Sequence, residues 1–303
     1  MNKKSFRKRL YDDRYMLLLT LPGFVYLLLF KYLPMASIVV AFQKYSFKSG
    51  VAGSDWLGLY WFQRFFSSVY FGRTIRNTLI LSSLNLLATT LLSIVLALLV
   101  NNIGNVSYKK LCQSATYFPH FISSVVLVGI LQRLFDQTTG VVNIIIDNLG
   151  GEKIDFFNSN VWIRPLYVFS YVWSGVGWNS IIYIGAISAV DPSLYEAAVI
   201  DGCDRLRQIK HIVLPAIKPV IITVFILNMG SLLSVSATRI LLMYQPSTYE
   251  TMDVISTYVY RSGIESGEYS YGTAVDLFNS IVNIMLLLTA NFISKKTAEV
   301  GIL

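Results

Sequence analysis

Residues 191–215 have the sequence DPSLYEAAVIDGCDRLRQIKHIVLP and separate two apolar runs. Asp191 can cap a helix that begins at Pro192, and Gly202 can end it in the left-handed conformation. The stretch therefore predicts a short helix that carries small and apolar side chains. A second helical segment follows and is predicted to end at Pro215, at the membrane. A short helix with small side chains in such a loop is typical of a docking element for a partner.

The runs on either side belong to a chain with the composition of a membrane protein. It has 303 residues, of which 54% are hydrophobic and 14% charged, whereas soluble domains carry about 25% charged residues. A helix needs about 20 apolar residues to cross the hydrocarbon core of a bilayer. We therefore predict an all-α membrane protein with six transmembrane helices, at residues 15–41, 78–100, 118–135, 166–190, 215–235 and 273–293.

The distribution of Lys and Arg predicts the orientation of these helices. Thirteen of the 25 basic residues lie in four loop and terminal segments on one side, and nine lie in three segments on the other. Because basic loops are retained in the cytosol, the first set and both termini are predicted to be cytosolic. The predicted cytosolic segments are 1–14, 101–116, 191–214 and 295–303, and the predicted external segments are 42–77, 136–165 and 236–272.

The same boundaries predict the domain organisation. No segment outside the membrane is long enough to bury a substantial core of its own. The expected parts are a cytosolic basic arm (1–14), a first transmembrane helix with an external segment (15–77), a core of five transmembrane helices (78–294) that contains the loop 191–215, and a cytosolic tail (295–303).

Motifs for enzymatic or nucleic-acid chemistry are missing from the sequence. It contains no G-x-x-x-x-G-K-[ST] phosphate loop, and His120 and His211 are far apart and outside any cluster with metal-ligand spacing. The net charge is +8, but basic residues concentrate before the first apolar run, which indicates a topology signal rather than a nucleic-acid surface. We expect no catalytic residue, no metal and no cofactor in this chain.

Ion coupling also has little support in the sequence. Carriers driven by protons or sodium often bury acidic residues in their spans. The predicted spans here are nearly free of acidic residues. Asp276 is the exception, and it lies at the start of the last predicted span. An ion-coupled carrier or channel is therefore the weaker alternative, and a membrane scaffold without transport activity is a third.

Polar residues in the last three predicted spans suggest a polar lumen. Asn179 and Tyr183 are four residues apart and share a helix face, as do Asn279 and Asn283. Such residues also commonly form belts at the membrane interface or hydrogen bonds between helices. We nevertheless predict a substrate path that is formed by Asn179, Tyr183, Asn228, Ser231, Asn279 and Asn283.

The loop that opened the analysis carries a resemblance to a known family. Its pattern, Glu196-Ala197-Ala198-x-x-x-Gly202 followed by Ile212-x-Leu214-Pro215, resembles the EAA loop of binding-protein-dependent ABC importer permeases. The whole stretch is similar to carbohydrate permeases of the maltose type. Four further stretches, 18–35, 117–126, 173–192 and 254–263, resemble the oligosaccharide and polysaccharide subgroup. Cys203 and Ile209 depart from the usual Ala and Phe, and both changes are conservative.

The resemblance implies a type I ABC importer permease whose EAA helix, between spans 4 and 5, couples to an ATPase. Glu196 would anchor the interface, small side chains would allow close approach, and Gly202 would set the bend. The implied coupling residues are Glu196, Ala197, Ala198, Asp201, Gly202, Ile212, Leu214 and Pro215.

The resemblance also implies partners, a location and a substrate class. The partners are two cytosolic ATPase subunits that carry ATP and magnesium, a second and non-identical permease, and an external or periplasmic sugar-binding protein. The lipid bilayer of the bacterial cytoplasmic membrane surrounds the chain, and nucleic acid has no role. The expected function is ATP-driven import of an oligosaccharide or polysaccharide-derived sugar by alternating access. A permease of the same superfamily for a different solute is the nearest alternative.

Overall fold

The structure, a computed structural model, describes residues 13–298 and is almost entirely helical. Most of the predicted basic arm and the end of the predicted tail, including Lys3, Lys4, Arg7, Lys8 and Arg9, lie outside the described residues. A short antiparallel hairpin pairs β1 (Gln43–Lys44) with β2 (Asp55–Trp56).

Thirteen helices follow one another along the described part of the chain. They are α1 (Arg14–Phe42), α2 (Tyr60–Phe66), α3 (Phe71–Asn101), α4 (Val106–Phe121), α5 (Ser124–Leu134), α6 (Val141–Asn148), α7 (Ile163–Ser188), α8 (Pro192–Ile200), α9 (Arg205–Met229), α10 (Ala237–Met243), α11 (Tyr249–Met252), α12 (Ile255–Val259) and α13 (Tyr269–Ala298). Short 3₁₀ or π-helical turns lie within or directly after several of them, and the longest in the described residues are the 3₁₀ segment Ala36–Phe42 at the end of α1 and the π-helical segment Tyr260–Glu265 after α12.

Four helices of the described chain, α1, α3, α9 and α13, are long and apolar enough to cross a bilayer. They cover four of the six predicted runs. The run 118–135 is not one straight helix, because α4 and α5 meet at 100°. Ser123 caps the new helix by accepting a hydrogen bond from the backbone N–H of Val126. The run 166–190 forms α7, which has 26 residues. It is long enough to cross a bilayer but is not one of these four apolar helices, because it carries several tyrosines, tryptophans and small polar side chains.

Helix α9 differs from the prediction at both ends. The second helical segment of the loop was predicted to end at Pro215. Instead, it continues into the membrane helix, so that α9 runs from Arg205 to Met229 through a π-helical turn, Ile209–Val213. Proline has no N–H to donate and crowds the carbonyl four residues earlier, and a wider turn before it accommodates both effects. The helix also stops at Met229 rather than at residue 235, and tight turns follow, in which Ser234 donates its N–H to the Ser231 carbonyl.

The described helices enclose three clusters of buried apolar side chains. One joins α2, α12 and α13 around Phe65, Ile255 and Val275, and we name the other two by position. The loop-side cluster joins α3, α5 and α7 to the segment 235–254, with Leu81, Leu127, Tyr167 and Ile240 at its centre. The α8-side cluster lies where α3, α7 and α9 converge beside α8. It consists of Ala97, Tyr183, Ile187, Val213 and Ile217, and Tyr195 of α8 packs against it.

Gly177 allows α7 to approach the end of α4 closely. A Cβ atom at position 177 would overlap the backbone carbonyl of Thr116, and a backbone atom cannot move aside as the end of a side chain can. On the same helix, a Cβ atom at Gly185 would meet nothing within 4 Å. The contact fixes α7 against the first arm of the bent pair.

We predict that Gly177→Ala destabilises the fold by about 1–3 kcal/mol, because overpacking forces the backbone to shift. The matched control is Gly185→Ala. The apparent melting temperature of each purified variant in detergent provides the measurement. A drop for Gly177→Ala alone is the expected result, whereas equal melting temperatures would show that the two helices do not touch at Thr116.

Candidate functional site

A stripe of buried polar residues runs along α3. Its members follow one another at steps of three or four residues, so they occupy one face of the helix. They are Thr74, Thr78, Ser82, Asn85, Thr89 and Ser93. The flanks of this helix are apolar and exposed, which is the reverse of a helix in a soluble protein. The stripe therefore faces the interior of the bundle.

The middle of this stripe forms one wall of a cavity of about 180 Å³. The cavity lies between the loop-side and α8-side clusters, since Tyr167 and Val235 of the loop-side cluster and Tyr183 of the α8-side cluster all line it. The lining side chains carry hydroxyl and amide groups together with tyrosine rings. They come from α3 (Ser82, Asn85, Leu86, Thr89, Thr90), α7 (Tyr167, Tyr171, Asn179, Tyr183), α9 (Val224, Asn228) and the turns after α9 (Ser231, Leu232, Ser234, Val235, Ser236).

Four of the six predicted path residues, Asn179, Tyr183, Asn228 and Ser231, line this cavity. Asn179 donates from Nδ2 to the Gly175 carbonyl of its own helix at 2.9 Å, so its Oδ1 remains available to a ligand.

The other two predicted path residues lie on α13 behind the lining. Asn283 holds the turns after α9, because its Oδ1 accepts from the Leu233 backbone N–H at 2.9 Å and its Nδ2 donates to Ser234 Oγ at 3.1 Å. Asn279 is buried away from the cavity, and its Oδ1 has no hydrogen-bond partner among the described residues.

Sequence reasoning missed the contribution of α3. Ser82, Asn85 and Thr89 line the cavity, yet attention to the last three predicted spans passed over them. The signal was present in the sequence as the spacing of Thr, Ser and Asn through an apolar run. Thr89 Oγ1 is buried without a hydrogen-bond partner among the described residues.

A buried carboxylate anchors the end of the bundle at which α3 begins. Asp253 is fully buried, and its Oδ2 lies 2.9 Å from Arg73 Nη2 and 2.7 Å from Arg261 Nη2. Its Oδ1 accepts from the Thr257 hydroxyl at 3.0 Å. Burial lowers the pKa of Arg261, but the hydrogen bond that its guanidinium donates to Asp253, the negative charge of that carboxylate and Tyr244 together outweigh burial and raise the pKa above its ordinary value. The carboxylate therefore joins α3 to the segment between α11 and α12.

Asn77 and Arg164 extend this anchor to α7. Asn77 donates to the backbone carbonyls of Glu250 and Asp253, at 2.9 and 3.0 Å. Arg164 Nη2 donates to Asn77 Oδ1 at 2.6 Å, and its Nε donates to the Thr251 carbonyl at 2.9 Å. The wall of the cavity formed by α3 and α7 is thus fixed at one end by charged and amide side chains.

Helix α8 forms between the caps that the sequence predicts. Asp191 Oδ1 accepts from the Ser193 N–H at 2.9 Å, and this bond lowers the pKa of the carboxyl below its ordinary value. Gly202 adopts φ +74°. The N–H of Cys203 reaches the Ala198 carbonyl at 2.8 Å and that of Gly202 reaches Val199 at 3.1 Å, which is a Schellman C-cap.

The surface of α8 is apolar and exposed on the side away from the bundle. Leu194, Val199 and Ile200 are 49%, 65% and 85% exposed. Glu196 and Ala197 are exposed with them, whereas Ala198 is buried against the chain itself. Such an apolar surface indicates a contact with another molecule.

The remaining predicted coupling residues lie at the end of α8 and within the first half of α9. Asp201 is the C-cap residue of α8. Ile212 is half-buried, Leu214 packs against the α8-side cluster, and Pro215 is exposed.

Metal-binding groups are not a feature of this site. Within residues 13–298, no group of three His, Cys, Asp or Glu side chains is placed to hold a metal ion. Cys112 and Cys203 are free.

Comparison with known proteins gives a family and two sets of relatives. Residues 89–297 match the family described as binding-protein-dependent transport system inner membrane component. The chain is 43% identical over 304 residues to the polygalacturonan/rhamnogalacturonan transport system permease protein YteP of Bacillus subtilis (strain 168), across 99% of this chain and 95% of that protein. It is 41% identical to the protein LplB of the same organism, across 98% and 94%.

Solved structures agree with these sequence relatives. A bacterial alginate ABC transporter in complex with an alginate pentasaccharide-bound periplasmic protein matches with a TM-score of 0.90 and 37% identity, across 98% of this chain and 99% of that one. A bacterial ABC transporter involved in the import of the acidic polysaccharide alginate matches with a TM-score of 0.89, also at 37% identity.

We predict that Asp253→Asn destabilises the protein by about 3 kcal/mol, because two arginines would lose the buried carboxylate that compensates them. The matched control is Glu268→Gln. It removes the exposed ion pair in which Arg64 Nη1 lies 2.9 Å from Glu268 Oε1, and such pairs contribute about 1 kcal/mol or less. Thermal unfolding in detergent separates the two. Equal melting temperatures would contradict the anchoring role of Asp253.

Proposed function

The chain belongs to the family of binding-protein-dependent transport system inner membrane components, and on that premise we propose that it carries an oligosaccharide through the membrane. It is a helical membrane protein with the type I importer permease fold. As the permease of an ABC importer it is a non-catalytic subunit, and energy comes from ATP hydrolysis on partner subunits.

The polar cavity is the observation that carries the proposal. Sugars present hydroxyl groups and flat apolar faces, and the lining offers hydroxyls, amides and the rings of Tyr171 and Tyr183. In a chain surrounded by hydrocarbon, buried polar side chains that face a cavity mark a substrate path. YteP is named for polygalacturonan and rhamnogalacturonan and the structural relative for alginate, while less similar permeases are named for lactose and for arabino- and galactooligosaccharides. All of these names favour a sugar over another solute, and those of the relatives at 37% identity or more favour a polysaccharide-derived one.

We propose that α8 is the coupling helix and that its exposed apolar surface docks on the ATPase. Leu194, Val199 and Ile200 would enter a groove of the partner, with Glu196 and Ala197 beside them. Ala198 would hold α8 to its own chain instead of touching the ATPase. Val199 and Ile200 were not among the coupling residues predicted from the sequence. Because both side chains are exposed on α8, we add them to the proposed docking surface.

A contiguous path of contacts connects this helix to the cavity. Tyr195 of α8 packs against the α8-side cluster, which contains Val213 and Ile217 of α9. Tyr183 belongs to the same cluster and also lines the cavity. A displacement of α8 by closure of the ATPase pair would therefore move a wall of the cavity, which is what alternating access requires.

The transmembrane topology is proposed from the same elements. We propose six crossings, formed by α1, α3, the bent pair α4–α5, α7, α9 and α13, with both termini in the cytosol. The division into a first helix with its external segment (15–77) and a core of five crossings (78–294) follows from this topology. The anchor of Asp253 would then face the outside of the bacterial cytoplasmic membrane.

The partners are proposed from the family and from one relative. They are a second and non-identical permease, two cytosolic ATPase subunits that hold ATP and magnesium, and an external sugar-binding protein. A periplasmic binding protein is present in the alginate transporter structure. The surface of α1 fits a large assembly, because no side chain of its stretch Arg14–Leu27 is buried within this chain, which leaves that helix to lipid or to the second permease.

We expect the complete transporter in proteoliposomes to import an oligosaccharide only when ATP and the binding protein are both supplied. Asn228→Ala should lower the uptake rate severalfold, because Asn228 lines the cavity and its amide would bind a sugar hydroxyl. Thr223→Ala, on the same helix α9 but outside the cavity lining, is the control, since the Thr223 hydroxyl donates to the Pro219 carbonyl of its own helix. Uptake without ATP, or equal rates for both variants, would count against the proposal.

We expect Val199→Asp to lower the amount of ATPase that co-purifies by about tenfold or more, because it would bury a charge in the docking surface. Val106→Asp is a matched control, since both valines are 65% exposed and both lie in loops that we place in the cytosol. Quantified pull-down of the tagged permease provides the measurement. Unchanged ATPase recovery for Val199→Asp would exclude α8 as the docking helix.

A further inference from the structure

Arg239 lies beside the cavity and forms no ion pair with an acidic side chain of residues 13–298. Its Nη2 donates to Ser174 Oγ at 3.2 Å, and its guanidinium carbon lies 5.3 Å from the centre of the Tyr171 ring. Tyr171 lines the cavity, and so do Val235 and Ser236 just before α10. The guanidinium therefore packs against a side chain that lines the cavity, although Arg239 itself is not part of the lining.

The charge of Arg239 is poorly compensated. Its Nη1 is buried and has no hydrogen-bond partner among the described residues. Among the described residues, the arginines that form ion pairs with acidic side chains are Arg64, Arg73 and Arg261. Burial accordingly lowers the pKa of Arg239 from its ordinary value. A half-buried guanidinium with a hydroxyl and a ring as its neighbours is costly to keep unless an anion comes to it.

Neighbouring arginines show what a structural arginine looks like in this protein. Arg164 makes two short hydrogen bonds to acceptors on other elements, and Arg73 has the carboxylate of Asp253. Arg239 has neither, and its one polar bond goes to a neutral hydroxyl at a longer distance. A purely structural role therefore explains Arg239 less well than it explains the others.

We propose that Arg239 is a specificity-determining residue that binds the carboxylate of an acidic oligosaccharide as it passes through the cavity. The proposal rests on the proposed function and names its substrate class as uronate-containing sugars. A planar guanidinium matches a carboxylate with two parallel N–H···O bonds, and the free Nη1 supplies the second donor. Tyr171 would keep the guanidinium oriented, and movement of its ring during the transport cycle would expose Nη1, which is covered in this structure.

The test uses the complete transporter, with its second permease, ATPase and binding protein, in proteoliposomes. Two probes of equal length are supplied, an oligogalacturonate and its neutral methyl ester. Uptake is compared among the wild type, Arg239→Gln, Arg239→Lys and the control Arg133→Ala. Arg133 is exposed at the end of α5, outside the cavity lining, so its substitution removes an equal charge. Because the binding protein is the same throughout, its own preference cancels when variants are compared for one probe.

The proposal predicts that Arg239→Gln lowers uptake of the acidic probe by at least about tenfold, since a charge-assisted bidentate pair is lost. Arg239→Lys should restore a substantial part of it, Arg133→Ala should match the wild type, and the ester should be little affected wherever it is transported. Size-exclusion chromatography and basal ATPase activity check assembly of each variant.

Several results would overturn the proposal. They are equal uptake of the acidic probe by Arg239→Gln and the wild type, an equal loss for both probes, no recovery with Lys, or a wild type that imports only the neutral ester. If the wild type imports neither probe nor any other oligosaccharide with ATP, the proposed function itself fails, which distinguishes that outcome from failure of Arg239 alone.

Discussion

The structure depends on one constraint: a polar group in an apolar helix must be satisfied by protein or face a water-filled space. The stripe on α3 obeys it in three ways along its length. At its beginning, Thr78 accepts from the Ile255 backbone N–H at 3.0 Å. Towards its end, Ser93 donates to the Val176 carbonyl at 3.1 Å. Between them, Ser82, Asn85 and Thr89 face the cavity. The cavity therefore lies where the helices stop supplying partners to each other.

The two ends of the cavity differ in the forces that hold them. The loop-side end is fixed by charge, through Asp253 with its two arginines and by Arg164 with Asn77. The α8 side is held by apolar packing around Ile187, Val213 and Ile217. Packing of this kind has less directional restraint than a buried ion pair, so the α8 side is the one suited to move. An ATPase that displaces α8 would then reshape the cavity, while the end that is held by Asp253 and its two arginines stays assembled.

Local features of the structure were predictable from the sequence and contacts between distant segments were not. The caps of α8 form between residues that are neighbours in the chain, and the apolar runs of α1, α3, α9 and α13 identify those helices directly. The partners of Asp253 come from residues 73 and 261, and no local pattern relates them. The turns after Met229 depend on Asn283, fifty positions away, and a hydropathy run cannot show that a helix stops there. Asn279 and Asn283 were identified as polar, but their place behind the lining required the packing of α13.

The central claim is that the cavity is a water-accessible passage, and cysteine accessibility tests it most directly. Asn228→Cys would be placed in a chain whose Cys112 and Cys203 are replaced by serine, with Leu227→Cys as the neighbour that is exposed but does not line the cavity. A charged, membrane-impermeant thiol reagent is applied to the reconstituted transporter with and without ATP and sugar. The account predicts that the cysteine at 228 reacts, that its rate changes with ATP, and that sugar slows it, while 227 stays unreactive. Equal reactivity at 227 and 228 in every state, or no reaction at 228 in any, would contradict it.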